Sequence, residues 1–470
     1  MVMPMVCARF LRQLCLCVVA LALSPCSTVA ASSIVPSMNG GGQQLWLLVS
    51  DVHFNPFDDP SIIKRLIRAP ESDWHTIFAS RERPPSSYFT DTNFALFESA
   101  LGAMRRALPN PPVVIIAGDS MGHKFPERFA QYAPNEPQTV YQQFVDKTIA
   151  FLASEFNAAY PSAQFLITIG NNDGYCGNYM STPGSPFLAH MAAAWQPLIN
   201  RGGAAPNFMR DFSLGGYYTS RLPSQPMMPA IVLNSVFWSA YYKNNCATGP
   251  DPGLVELAWL ASALRSTAAP PLLMTHIPPG IDEYLSLNNN AVTPLYKEQY
   301  TQQLLSLIGA DAIAPRAFIL GHIHHATFEI ANTFGGQLGM LGVPSISPDQ
   351  GNNPAFVVAA IGGASPTIAD TSTFILPLSS SSTWRSLYSF DSAYGLSAFD
   401  APNLFKLQSG IANDTSTRAT FFTNYNSAST TATPSPAKWR WYWCGHTNLT
   451  PAPYAACVNQ SAQKAGAPGP

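Results

Sequence analysis

The sequence predicts an α/β fold, on the evidence of apolar runs, intervening helical stretches and a composition that is 47% hydrophobic. Six short apolar runs stop abruptly at polar residues: 45–51, 113–119, 165–173, 230–235, 272–276 and 318–324. Continuous apolar runs of this length are typical of strands buried on both faces. Helix-like stretches lie between them, at 93–108, 139–159, 254–266 and 295–308. Alternating strands and helices favour an α/β architecture, and further strands are expected at 337–343 and 355–361.

The low charge of the chain narrows the classes of function. Only 11% of the 470 residues are charged, and the formal net charge is -2. A chain without a basic surplus gives no electrostatic basis for binding nucleic acid, so no nucleic-acid polymer is predicted as a partner. We expect a monomer, and we expect a membrane to be a partner only as the source of a lipid substrate.

The first 30 residues are typical of a signal peptide. Arg9 and Arg12 precede an apolar run of about ten residues, and small residues up to Ala30 suit cleavage there. An uncleaved anchor is the alternative. We therefore expect secretion or export to the periplasm, followed by a small, polar linker over 31–43.

Four cysteines remain after the predicted signal peptide, and exported chains favour disulfides over metal sites for such cysteines. We expect the pairs Cys176–Cys246 and Cys444–Cys457. Asn-x-Ser/Thr sequons, which matter only if the source glycosylates exported proteins, occur at Asn413, Asn448 and Asn459.

The domain organisation follows from a change of composition near residue 365. Serine and threonine clusters appear after this point and the strand–helix alternation fades. We expect a catalytic domain over 44–365, a small C-terminal subdomain over 366–460 and a disordered tail over 461–470.

Nearly every predicted strand ends in a residue that can bind a metal ion. In open α/β sheets, ligands bind beyond the carboxyl ends of strands. Oxygen and imidazole donors without thiolates suit zinc, manganese or iron(II). The candidate ligands are Asp51, His53, Asp119, Asn171, His276, His322 and His324.

The spacing of these residues has a physical reason. In Asp-x-His and His-x-His, alternate residues of an extended segment point the same way, so both side chains reach one site. Glycines before Asp119, Asn171 and His322 let the backbone turn and approach the ions. Each motif alone has a simpler explanation: Asp119 could cap a helix, and His322 and His324 could be a buried hydrogen-bonded pair.

The order DVH, GDS, GNND, TH and GHIH resembles the calcineurin-like metallophosphoesterase superfamily. Finer matches resemble its acid sphingomyelinase-like branch: GDSMGH (118–123), LNSVFW (233–238), THIPPG (275–280) and GHIHHATF (321–328). The resemblance covers roughly residues 44 to 400.

This resemblance implies a four-layer α/β/β/α sandwich and two divalent metal ions. Zinc is the first choice for both ions, with manganese or iron as alternatives. A hydroxide between the ions would attack the phosphate. One ion would be bound by Asp51, His53, Asp119 and His324, and the other by Asp119, Asn171, His276 and His322, with Asp119 as the bridge.

The resemblance also points to catalytic roles for Asn171, Asn172 and His123. His123 follows the bridging aspartate by four residues and is predicted to be a general acid or a phosphate ligand; a histidine that caps a helix is the alternative. Asn172 replaces the histidine of the usual GNH motif, as in endopolyphosphatases, and is predicted to hydrogen-bond phosphate. Asp173 would orient a ligand, or merely form a turn.

We conclude that the sequence predicts a secreted dinuclear-metal phosphoesterase. The expected substrate is a phosphodiester, either a sphingomyelin-like phospholipid or a nucleotide-type diester. The alternative is a polyphosphatase or phosphomonoesterase with the same metals, and a remote one is an inactive binding protein.

Overall fold

The computed structural model describes residues 43–223, 227–243, 249–309, 314–362, 367–431 and 438–464. The predicted signal peptide, the predicted linker apart from Gln43, and Cys246 lie outside these ranges. All described residues belong to one compact unit, 34–470. Within the described ranges, none of the helices combines the length and the apolar character needed to cross a membrane.

The first sheet has six strands in the order β12-β11-β10-β1-β2-β3. Strands β1, β2 and β3 are parallel, and β10, β11 and β12 continue the sheet in antiparallel fashion from β1. The strands are β1 (Gln43–Val49), β2 (Val113–Ile116), β3 (Gln164–Ile167), β10 (Ala355–Gly362), β11 (Thr367–Ile375) and β12 (Arg385–Ser389).

The second sheet also has six strands, in the order β4-β5-β6-β7-β9-β8. Strands β5, β6, β7 and β9 are parallel, and β4 and β8 are antiparallel edge strands. The strands are β4 (Tyr218–Leu222), β5 (Met228–Val232), β6 (Leu272–Met274), β7 (Ala317–Leu320), β8 (Thr327–Thr333) and β9 (Gly336–Gly342).

Fifteen α-helices occur in the described ranges and connect or cover these strands. Several begin at side-chain caps; Asn93, for example, accepts a hydrogen bond from the Leu96 amide. The helices are α1 (Ile63–Arg68), α2 (Trp74–Ala79), α3 (Phe94–Ala107), α4 (Phe125–Tyr132), α5 (Gln138–Ala159), α6 (Pro186–Ile199), α7 (Phe208–Gly215), α8 (Pro252–Ser266), α9 (Glu283–Asn289), α10 (Glu298–Gly309), α11 (Phe390–Tyr394), α12 (Ala401–Asn413), α13 (Thr415–Tyr425), α14 (Trp439–Gly445) and α15 (Pro451–Lys464).

The predicted α/β class is confirmed, because strands alternate with helices along the chain and form two mixed sheets. The central strands are fully buried, which explains their continuous apolar sequences. The two sheets are joined by hydrogen bonds: Thr168 Oγ1 donates to the Leu233 carbonyl at 2.6 Å, and the Ile167 amide donates to Tyr218 Oη at 3.0 Å.

The first sheet continues beyond residue 365, where the sequence predicted the end of the catalytic domain. Strands β11 and β12 lie at 367–389 and pair with β10. The four helices α12 to α15 then complete the described chain, and α15 reaches Lys464, inside the segment predicted to be a disordered tail. Composition indicated serine-rich loops, but it did not distinguish them from a strand that contains the buried residues Thr371, Ser372 and Thr373.

The predicted disulfide Cys444–Cys457 is confirmed and links α14 to α15. Cys176 is also disulfide-bonded. Its predicted partner, Cys246, lies outside the described residues.

Candidate metal centre

All seven predicted ligands lie at the carboxyl ends of strands, and both sheets contribute. From the first sheet, Asp51 and His53 follow β1, Asp119 follows β2 and Asn171 follows β3. From the second sheet, His276 follows β6, whereas His322 and His324 follow β7. The structure therefore brings the set together, although ligation itself stays a prediction.

The backbone at these positions differs from the extended segments that the sequence predicted. Asp51, His53, Asp119, His322 and His324 all have positive φ, at 50°, 43°, 49°, 70° and 65°. Non-glycine residues adopt this left-handed region at a free-energy cost of order 1–3 kcal/mol and cluster at functional sites. The strands end before the ligands, so these side chains converge through tight turns rather than through the alternation of a strand.

Hydrogen bonds between neighbouring turns hold these backbones in place. The Asp51 amide donates to the Gly118 carbonyl at 3.1 Å, and the His53 amide donates to the Asp119 carbonyl at 2.9 Å. Gly118 has a φ of 89°, and a Cβ there would lie only 2.5 Å from His276 Nδ1. Gly170 permits a close approach instead, because a Cβ at that position would collide with Asp119.

The first half-site consists of Asp51, His53 and His324, together with a share of Asp119. His324 Nε2 lies 3.2 Å from Asp51 Oδ1 and 3.2 Å from His53 Nε2. His53 Nε2 lies 3.7 Å from Asp51 Oδ1 and 3.4 Å from Asp119 Oδ2. The ligand atoms of Asp51, His53 and His324 all lie within 4.8 Å of one another.

The second half-site consists of Asp119, Asn171, His276 and His322. His276 Nε2 lies 3.3 Å from Asp119 Oδ2 and 3.0 Å from Asn171 Oδ1. Asp119 Oδ2 is thus almost equidistant from His53 and His276, one in each half-site. This arrangement is compatible with a dinuclear metal site in which Asp119 is the bridge.

The charges of the site compensate one another. Burial raises the pKa of Asp51 and Asp119, but the neighbouring histidine charges outweigh it and hold both pKa values well below their usual range. Burial lowers the pKa of His53, yet the Asp119 charge and a contact with Asp51 raise it to about 9. The pKa values of His276 and His324 are likewise raised by carboxylates. The carboxylates therefore favour positive charge at this position.

Two observations show that the residues fit a metal ion. Asp51 Oδ1 is fully buried and has no hydrogen-bond donor, although three imidazoles lie within 4 Å. His53 Nδ1 lies 3.1 Å from the Met121 carbonyl, and His276 Nδ1 lies 2.7 Å from the Ala117 carbonyl. Because a carbonyl only accepts, both Nδ1 atoms carry protons, which leaves each Nε2 as a free ligand atom.

Asp349 supports the first half-site and was missed by the sequence reasoning. Its Oδ1 atom lies 2.8 Å from His324 Nδ1, and its Oδ2 atom lies 3.8 Å from His123 Nε2. A carboxylate behind a histidine ligand fixes the ring orientation and strengthens its basicity. Asp349 directly follows the segment PSISP (344–348), and the sequence around it contains no signal that it contacts His324.

Asn172 and Asp173 both support the loop that carries Asp119. The Asn172 backbone and side-chain amides donate to the two Asp119 oxygens, each at 2.8 Å. The Asp173 carboxylate accepts hydrogen bonds from the amides of Gly170, Ser120 and Met121, each at 3.0 Å. A direct contact between Asn172 and phosphate stays a prediction.

His123 lies beside the first half-site. Its ring stacks on His53 with a centroid distance of 4.1 Å and an interplanar angle of 15°, and its side chain is 32% exposed. His53, Asp91 and His123 bring ligand atoms close together. This trio shares His53 with the first half-site.

His325 directly follows the GHIH motif. It is buried, and its ring stacks on Tyr425 at 4.5 Å. Burial lowers the pKa of His325 to about 3, with the His324 charge adding to the effect. Tyr179 was also missed: its hydroxyl lies 3.5 Å from His322 Nε2, at the edge of the second half-site.

Comparison with known proteins supports the resemblance seen in the motifs. No protein-family model matches the chain. The acid sphingomyelinase-like phosphodiesterase 3b of Homo sapiens is 23% identical over 370 residues, which cover 74% of this chain and 76% of the relative. The sphingomyelinase phosphodiesterase D of Dictyostelium discoideum is 26% identical over 323 residues, which cover 66% and 67%.

Solved structures give a weaker likeness. PhoD aligns with 75% of this chain and 73% of its own, at 11% identity and a TM-score of 0.34, too weak to support an argument. The sequence relatives carry the assignment instead. The homologues of this chain are acid sphingomyelinase-like phosphodiesterases.

Proposed function

We propose that this protein is a dinuclear-metal phosphodiesterase acting on a sphingomyelin-like phospholipid or a nucleotide-type diester. The position of Asp119 carries the proposal, because its Oδ2 atom lies 3.4 Å from His53 Nε2 and 3.3 Å from His276 Nε2. One carboxylate oxygen thus faces both half-sites. The reaction class is supported by the relatives, which are named as phosphodiesterases.

The proposed ligands divide between two ions that share Asp119. Asp51, His53 and His324 would hold the first ion, and Asn171, His276 and His322 would hold the second. Zinc is the preferred metal because imidazole and carboxylate donors suit it, with manganese or iron as alternatives. When bound, two such ions supply a water nucleophile near neutral pH and stabilise charge on the phosphate.

The protein's own residues orient the reacting groups. Asn172 donates to both oxygens of Asp119 and fixes the plane of the bridging carboxylate. Asp349 holds the His324 ring from behind. His123 is the proposed general acid, because its ring is fixed on His53 and its side chain is partly open to solvent.

The test is a substrate panel with the purified full chain. Bis-p-nitrophenyl phosphate, sphingomyelin in detergent micelles and long-chain polyphosphate would each be assayed before and after chelation, and again after zinc or manganese is restored. We expect diester hydrolysis that chelation abolishes and metal restores. Preferential polyphosphate cleavage would replace the diesterase proposal with the polyphosphatase alternative, and chelator-resistant activity would overturn the metal mechanism.

We also propose that the protein acts outside the cytoplasm. The disulfide Cys444–Cys457 supports this, because stable disulfides are typical of oxidising compartments. Fractionation of the producing cells, with amino-terminal sequencing of the mature protein, tests it: export with cleavage after Ala30 is expected, and a full-length cytoplasmic product would contradict it.

A further inference from the structure

A buried carboxylate, Asp91, lies behind His123 at the side of the metal centre. Asp91 is 4% exposed, whereas the His123 side chain is 32% exposed. None of the sequence motifs includes Asp91, which precedes His123 by 32 positions. Burial of a carboxylate requires compensation by hydrogen bonds or charges, so its partners indicate its role.

Both oxygens of Asp91 are engaged, mainly by His123. Oδ1 accepts a hydrogen bond from His123 Nδ1 at 2.7 Å, and Oδ2 accepts one from the His123 backbone amide at 3.0 Å. Oδ2 also lies 2.7 Å from Arg128 Nη1. Because a carboxylate only accepts, His123 Nδ1 carries a proton. Nε2 is the ring atom that Asp91 does not engage, and it lies 3.8 Å from Asp349 Oδ2, beyond hydrogen-bond distance.

The segment that carries Asp91 is fastened to the first half-site. The Thr92 amide donates to the His53 carbonyl at 3.1 Å, and the Asn55 amide donates to the Thr92 carbonyl at 2.8 Å. Gly122 allows Asp91 to approach, since a Cβ at residue 122 would lie a tight 3.1 Å from Asp91 Oδ2. Asp91 therefore holds His123 in a fixed relation to His53.

We propose that Asp91 is the positioning residue for proton transfer by His123, fixing its ring so that Nε2 faces the leaving oxygen of the substrate. This inference rests on the proposed function.

The proton balance of the step is simple. The oxygen of one water forms the new P–O bond, and the bond from phosphorus to the leaving oxygen breaks. The leaving oxygen takes the Nε2 proton of His123, while the Nδ1 proton stays on the hydrogen bond to Asp91. A proton from the consumed water then restores Nε2.

The test compares two substrates of the same shape that differ in leaving group. Nitrophenolate, from bis-p-nitrophenyl phosphate, leaves without help, whereas phenolate, from diphenyl phosphate, is the poorer leaving group. We expect Asp91→Asn to lower kcat for diphenyl phosphate about 10²-fold and for bis-p-nitrophenyl phosphate less than about 5-fold, because general acids typically contribute 10²–10⁴-fold. KM should stay within about 2-fold for both substrates.

His123→Ala should give the same selective loss, and the double variant should lose no more than His123→Ala alone. Asp59→Asn is the matched control, because Asp59 forms a surface pair with Arg81 at 2.8 Å, and it should leave both rates unchanged. If Asp91→Asn does not fold, Asp91→Glu keeps the charge but displaces His123, and should produce the same selective loss.

Three outcomes would overturn the positioning role: equal losses on both substrates, multiplicative losses in the double variant, or loss of bound metal from folded Asp91→Asn protein. Failure of the proposed function differs from all three, because the metal-loaded wild-type protein would then hydrolyse neither diester.

Discussion

Two acidic clusters in this molecule have opposite electrostatics. In the metal centre, histidine charges hold the pKa values of Asp51 and Asp119 below their usual range. In the glutamate cluster, formed by Glu283 and Glu329, burial raises the pKa of Glu283 to about 8 and that of Glu329 well above its ordinary value. Burial raises the pKa of the carboxyl groups in both clusters, so the neighbouring groups decide whether the final pKa is raised or lowered.

The neighbours of the glutamate cluster explain its neutrality. The neighbouring Asp282 carboxyl raises the pKa of Glu283 further, Tyr442 and Tyr454 lie nearby, and the backbone of Gly445 packs against the Glu283 carboxyl group. Neither glutamate belongs to the groups of three or more metal-capable side chains found in the described residues. A carboxyl group that is removed from water and has no cation nearby has a raised pKa and stays protonated. A carboxyl group among imidazoles has a lowered pKa, and its negative charge can bind a metal ion.

The largest expected effect is a difference in activity between a substitution in the metal centre and one in the glutamate cluster. Asp119→Ala should lower kcat/KM by more than about 10³-fold, because the proposed bridge between the half-sites is removed. Glu329→Gln replaces an equally buried carboxyl outside the centre and should stay within about 2-fold of wild type. Steady-state kinetics with metal analysis checks both, and similar losses in the two variants would remove the functional contrast.

A second prediction concerns the carboxylate behind the first half-site. Asp349→Asn should weaken metal binding about 10–100-fold, because the 2.8 Å contact to His324 Nδ1 would lose its charge. Competition against a chelator measures the affinity. Asp59→Asn serves as the control, and unchanged affinity in Asp349→Asn would show that His324 needs no carboxylate support.

The third prediction tests the region around the glutamate cluster. Replacing both cysteines of the Cys444–Cys457 disulfide by serine should reduce the free energy of unfolding by about 2–3 kcal/mol, since the bond closes a short loop. Urea denaturation measures the loss. Activity of the folded variant should match wild type, and a parallel loss of metal would contradict the separation of the two regions.

The fourth prediction uses the raised pKa of Glu283. Between its ordinary value of 4.5 and about 8, the unfolded chain releases this proton while the folded protein retains it, so the glutamate's contribution to stability falls as pH rises. Relative to wild type, Glu283→Gln should gain up to about 1.4 kcal/mol per pH unit across this window.

Denaturation at several pH values measures the gain. Ser286→Ala is a non-titrating control on the same helix and should shift stability equally at every pH. A constant difference between Glu283→Gln and wild type would show that Glu283 ionises normally in the folded protein.

The sequence indicated the seven candidate ligands because each lies shortly after a buried strand; their ligation of metal stays a prediction. Strand position and ligand type are both local properties, so they can be read from short motifs such as those at His276 and His322. The α/β class followed for the same reason. The continuation of the first sheet beyond residue 365 was not predicted, because β11 and β12 contain threonines and serines that resemble a loop composition.

The partners of the site residues could not be predicted in the same way. Asp91 reaches His123 across 32 positions, and Asp349 reaches His324 across 25. Neither aspartate belongs to a motif, and such contacts are fixed by the packing of loops. The left-handed turns at Asp51 and His53 were missed as well, because neither residue type signals positive φ as glycine does.

The division of the proposed ligands between two sheets gives the site a mechanical property. The first sheet supplies Asp51, His53, Asp119 and Asn171, and the second supplies His276, His322 and His324. Each proposed ion would take ligands from both sheets, so sliding of one sheet against the other would distort both sets of ligands. Removing the Thr168 hydrogen bond to Leu233 should alter the magnetic coupling of a dimanganese form without touching a ligand. The magnetic coupling between the two ions would then report how the two sheets are aligned within the protein.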